Sequence, residues 1–171
     1  MTAWHARTIE QRNLLNPAFC AVVLWQVAMG YRSEAAAVAA DCVQLPIELA
    51  FVGSSLALRG QTREKLPGTV RTSLAIWVYD HPLERSAVAK GVVVLRPYVR
   101  EALMFGAQYG LLAVTGRHVA AIDSAAKKMT GYLKQSSTDV RECARQAYFV
   151  GRWLYKGGSP STVLALLGVQ A

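Results

Sequence analysis

The chain has 171 residues, 53% of them hydrophobic, and 19 Lys and Arg against 11 Asp and Glu leave a formal net charge of +8. That length carries one domain with a real core, and the basic balance favours nucleic acid or an acidic partner without setting a fold. Cys20, Cys42 and Cys143 are far apart in sequence, which excludes a disulfide framework or a zinc signature by spacing.

Each cysteine is expected as a small buried apolar group in a reducing cytoplasm. The opening residues MTAWHARTIEQRN lack a basic start followed by an apolar core, so no signal peptide is expected. The most apolar window, 35–58, is broken by Asp41, Pro46 and Glu48, so it predicts buried helices rather than a membrane span.

The first predicted helix starts at Asn16, a capping residue, with Pro17 suited to its first turn. Phe19, Val22, Val23, Leu24, Val27 and Tyr31 then recur at helical spacing, with Gly30 near the end. The apolar residues cover nearly the whole circumference, which implies burial on several sides. A second helix starts at Pro46 and carries Ile47, Leu49, Ala50, Phe51 and Leu58, with Gly60 as its stop. The stretch 61–70 reads as a polar connector turning at Pro67-Gly68.

Three helices are predicted between Val70 and Tyr109. TSLAIWVYDH is short, with Thr72 as its cap and Pro82 beyond its end. LERSAVAKGVVVLR puts Val88, Val92 and Leu95 on one face, although Gly91 and the valine run also fit a strand. PYVREALMFGAQYG starts with Pro97 in a first turn and stops at a left-handed Gly110. A β-hairpin follows, turning at Thr115-Gly116-Arg117. Asp123 and Ser124 cap the next helix, AAKKMTGYLKQ. The last long helix lies within STDVRECARQAYFVGRWLYKGG, and Ser159-Pro160 restarts a short apolar one.

Helix, helix, helix, hairpin, helix is the order of a winged helix-turn-helix. The expected fold is therefore mainly α: one domain over 1–171, a winged-helix-like core at about 70–134, and flanking helices in 16–60 and 139–169. A DNA-reading winged helix presents polar side chains from its third helix. Here that helix offers Arg100 beside Met104 and Phe105, too apolar a set for a good groove reader. Surplus apolar surface more often marks a protein interface.

The nucleic-acid reading selects Arg100, the wing residues Arg117 and His118, and Lys127 and Lys128. The protein-binding reading selects Met104 and Phe105, then Trp153, Tyr155, Leu164, Leu166 and Leu167 near the end of the chain. That terminal apolar stretch reads as a docking segment or, the favoured reading, as a helix folded back on its own core. The basic residues between Arg117 and Lys156 read equally as a phosphate-binding face or a solvated one.

Catalytic patterns are missing. The sequence has neither a phosphate-binding glycine loop nor a dinucleotide fingerprint. His5, His81 and His118 are scattered, and Ser54-Ser55 and Ser136-Ser137 have no nucleophile elbow. Glu48 is expected to pair with an arginine or lie at an edge. No enzyme, metal or cofactor is expected.

Three stretches together carry a family resemblance: RTIEQRNLLNPAFCAVVLWQVAMGYRSE, LPIELAFVGSSLAL with TREKLPGTVRTSLAIWV, and VGRWLYKGGSPSTVLALLGVQA. They resemble the middle component of bacterial three-component ABC systems, to which the Lamassu defence systems look closely related. The resemblance implies a small adaptor without an active site, coupling an ABC-type ATPase of the SMC or Rad50 kind to an effector, such as a nuclease, in immunity against phages and plasmids. The competing reading from charge and wing is a winged-helix DNA-binding transcriptional regulator.

Overall fold

The computed structural model describes residues 15–38 and 43–170, so His5, Asp41 and Cys42 lie outside the described residues. In chain order the elements are α1 (Pro17–Ala36), β1 (Leu45–Pro46), α2 (Ile47–Leu58), α3 (Gly60–Glu64), α4 (Leu74–Asp80), α5 (Pro82–Gln108), β2 (Leu112–Thr115), β3 (His118–Ala121), α6 (Ala126–Gln135), α7 (Thr138–Lys156) and α8 (Pro160–Leu167). The fold is mainly helical, with one small antiparallel sheet.

α1 is the central helix. The Asn16 side chain accepts a hydrogen bond from the Ala18 N–H at 2.9 Å, and Pro17 occupies the first turn. Its apolar circumference is buried as expected, packed against α2, α5, α7 and the sheet. α7 crosses α1 closely because Gly30 and Gly151 bring the two backbones together. A Cβ on Gly151 would overlap the Val27 carbonyl oxygen, and one on Gly30 would overlap that of Tyr148.

The hairpin forms where expected, with Gly110 and Gly116 both at positive φ (67° and 59°). β2 pairs with β3 from Leu112↔Ala121 to Thr115↔His118. A third strand joins it. β1 pairs antiparallel with β3, Leu45 facing Val119 and Pro46 facing His118, which gives the strand order β1-β3-β2. Helix, strand, helix, helix and hairpin in this arrangement are compatible with a winged helix. The first strand comes from 45–46, N-terminal to the stretch 70–134, so helices of the N-terminal part belong to the same unit as the hairpin.

The expected partition of 70–109 into three helices is corrected. After α4, a single helix of 27 residues runs through Gly91 and Pro97 to Gln108. Pro97 cannot donate to the carbonyl of Val93. Val93 is 65% exposed, so water can reach that face of the helix. At Gly91 a Cβ would overlap Ser55 Oγ, whose hydroxyl donates to the Val88 carbonyl at 2.9 Å. The glycine that weakens the helix by propensity is thus what lets α2 pack on α5.

Smaller corrections have similar causes. Gly60 does not stop the helical chain, because α3 restarts there and buries Thr62. The cap of α4 is Ser73, which accepts from the Ala75 N–H at 3.2 Å, not Thr72. Asp123 and Ser124 open a single 3₁₀ turn instead of capping α6, and Asp123 pairs with Arg32. One hydrophobic core joins residues from Cys20 to Leu167, with Trp77, Trp153, Leu24 and Leu154 among its largest fully buried side chains.

Candidate functional site

The expected tail anchors divide by burial. Trp153 is 1% exposed. Its indole N–H donates to the Thr72 carbonyl at 2.7 Å, and its ring meets Trp77 edge-on at 5.3 Å. Leu167 and Leu164 are also core residues. α8 therefore folds back on its own domain, the second of the two readings of the tail. Tyr155 is half-buried, edge-on to Tyr31 at 5.2 Å. Leu166 lines an open groove.

That groove lies between α4, the start of α5 and α8. Ala75, Val78, Tyr79, Pro82, Ala165 and Leu166 supply its apolar walls, and Arg85 and Thr162 its polar ones. Beside it Ile76, Tyr79 and Leu83 are 58%, 86% and 78% exposed. Sequence reasoning missed this cluster. Its signal was the phase of the residues: the three fall at steps of three and four, opposite to buried Leu74, Trp77 and Val78. His81, between them, is held within the fold. It stacks on Trp77 at 5.2 Å, and its Nδ1 lies 2.9 Å from the Trp77 carbonyl.

The residues selected for nucleic acid sit on three separate elements. Arg100 is exposed on α5, with Met104 (64% exposed) one turn further along; Phe105 is half-buried and stacks on Tyr109 at 4.3 Å. Arg117 at the hairpin turn is paired with Glu48, the arginine partnership expected for that carboxylate. His118 is exposed on β3, and Lys127 and Lys128 are exposed on α6. Of the eight basic residues between 117 and 156, Arg117, Arg145, Arg152 and Lys156 have acidic partners. The pairing halves the charge that this stretch offers to phosphate.

One of those pairings is buried. Glu34 on α1 receives the Arg152 Nε–H at 2.7 Å and lies 3.2 Å from the Lys156 ammonium. Burial works against its ionisation. The hydrogen bonds and charges of Arg152 and Lys156 outweigh that and hold the carboxyl below its ordinary value of 4.5. The folded chain thus keeps Glu34 charged to a lower pH than the unfolded chain does. Its stabilisation is complete above the unfolded value and is lost as pH falls through the folded one. Urea unfolding between neutral and acid pH is expected to show a steeper acid loss for the native chain than for Glu34→Gln. Parallel pH profiles would contradict this.

Cys20 and Cys143 are buried, and burial pushes the Cys20 thiol up to about 12. Among the described residues no group of three His, Cys, Asp or Glu is placed to hold a metal ion. No helix among them is long and apolar enough to cross a membrane.

Compared with known proteins, residues 4–171 match the family model described as ABC-three component (ABC-3C) system Middle Component 3. No curated protein and no solved structure matches the chain.

Proposed function

From the chain's membership of the Middle Component 3 family of ABC-three component systems, we propose that it is a non-enzymatic adaptor in the bacterial cytoplasm. In this reading it couples an SMC- or Rad50-like ABC ATPase to an effector, such as a nuclease, in defence against phages and plasmids. The family match over residues 4–171 is the observation that carries it. The exposed cluster of Ile76, Tyr79 and Leu83 supports it, because surface of that kind is a common mark of protein association.

The regulator reading is the weaker one. A base-reading helix needs polar side chains facing the groove, and α5 exposes Val93, Val94 and Met104 beside its arginines. The wing-tip Arg117 is already neutralised by Glu48. Any contact of Lys127 and Lys128 with DNA is then non-specific and made within the larger assembly.

Co-expression with the adjacent genes tests the adaptor. The expected result is a stable complex on size exclusion that contains this chain and the ATPase. Elution of this chain alone, with both neighbours folded and present, would overturn the reading.

A further inference from the structure

A second recess lies away from the α4–α8 groove, where α2, α5 and the chain end meet. Ile47, Phe51, Val92, Leu164 and Val169 line it with apolar surface. Arg96 and Arg100, one helical turn apart on α5, form its rim, and both are exposed. Its volume is about 180 Å³. Small-molecule sites start at roughly 300 Å³, so the space suits one apolar side chain better than a metabolite.

Among the described residues no carboxylate pairs with the charge at this rim. Ion pairs hold Arg32, Lys65, Arg117, Arg145, Arg152 and Lys156, but none holds Arg96 or Arg100 among the described residues. The carboxylate that lines the recess, Glu48, is engaged by Arg117. Along α5 the same exposed stripe continues as Val93, Arg96, Arg100 and Met104, at steps of three, four and four. A binding partner must therefore be apolar at both ends of the stripe and acidic in its middle.

We propose that this recess seats an acidic amphipathic helix of a protein partner, with one apolar side chain in the pocket and carboxylates on Arg96 and Arg100. Helices dock in grooves through anchors at such spacings, and arginine binds carboxylates through paired, charge-assisted hydrogen bonds. A nucleic acid fits less well. Val93 and Met104 would face a charged backbone with nothing apolar to cover them. The inference rests on the adaptor reading only in taking the occupant from the proteins encoded beside this chain.

The test is a peptide panel titrated against the full chain by fluorescence anisotropy. Labelled peptides of about 20 residues, long enough for five helical turns, tile the proteins encoded by the adjacent genes. The tightest binders are expected to be acidic and amphipathic. Arg96→Glu with Arg100→Glu is expected to weaken them by about tenfold or more, and Lys127→Glu with Lys128→Glu to leave them unchanged. Both arginines are exposed, so an unchanged melting temperature shows that the variant is folded.

Equal binding by the Arg96→Glu, Arg100→Glu variant would overturn the proposal. So would a panel in which no acidic peptide binds, or self-association or duplex-DNA binding as the only property lost on charge reversal. Co-purification judges the adaptor reading separately. A complex that forms while the panel fails sinks this site alone, and peptide binding without a complex sinks the adaptor alone.

Discussion

Gly151→Ala is expected to destabilise the chain by about 3 kcal/mol, and Gly30→Ala by a similar amount. Both glycines sit where α1 and α7 touch backbone to backbone. The new methyl at 151 would overlap the Val27 carbonyl oxygen and stand 2.8 Å from the Tyr31 nitrogen. At 30 it would overlap the Tyr148 carbonyl oxygen and stand 3.2 Å from the Arg152 nitrogen. A side chain can rotate away from an added carbon, but a helical backbone cannot. The two helices would have to move apart. That would loosen Val27, Val150 and Leu154, all fully buried, and stretch the ion pairs of Glu34 with Arg152 and Lys156.

Gly131 on α6 is the control. It is exposed, and a Cβ there meets nothing within 4 Å. Alanine at 131 should therefore stabilise the helix, by about 0.5–1 kcal/mol. For a chain of this size each kcal/mol moves the melting temperature by about 2–4 °C. Thermal unfolding should thus place Gly151→Ala about 6–12 °C below the native chain and Gly131→Ala slightly above it. A Gly151→Ala protein that melts with the native chain would mean that the crossing is not this close.

The features that could be read from the sequence were those decided by neighbouring residues. Asn16 and Ser159 cap their helices because a short polar side chain just before a proline can reach back to the first turn. Gly110 and Gly116 mark the ends and turn of the hairpin because left-handed backbone favours glycine locally. The misread features were decided at a distance. Pro97 looks like a helix start by local rules, yet the outcome turns on whether solvent reaches Val93. Gly30 reads as a helix end and Gly91 as a weak point, and nothing local singles out Gly151. Their function is contact with segments as much as 124 residues away, which no local pattern encodes.

β1 is a sharper case. Two residues, one a proline, carry no strand periodicity, and Leu45–Pro46 is extended because β3 pairs with it. The surface was legible in kind but not in place. An excess of apolar residues pointed to a protein partner. Burial then assigned Trp153, Leu164 and Leu167 to the core and left Tyr79, Leu83, Val93 and Met104 exposed. An apolar helix that docks and one that folds back have the same sequence pattern, so only the packing separates them.

Trp153→Ala is expected to cost about 3–5 kcal/mol, the range for removing a large buried aromatic side chain. The ring is 1% exposed, edge-on to Trp77 and near Phe149 at 6.3 Å, so its removal opens a cavity between α4 and α7. The loss also strands the Thr72 carbonyl that the indole N–H satisfies. Trp153→Phe keeps most of the packing and loses the hydrogen bond. It should cost less, about 1–2 kcal/mol. Tyr79→Ala provides the opposite case, since Tyr79 is 86% exposed and its removal should change stability by no more than about 0.5 kcal/mol. Urea midpoints for the three variants should therefore fall in the order Tyr79→Ala, Trp153→Phe, Trp153→Ala. If Trp153→Ala unfolded at the native midpoint, the indole could not be holding α7 to α4, and Trp153 would again be available as a surface anchor.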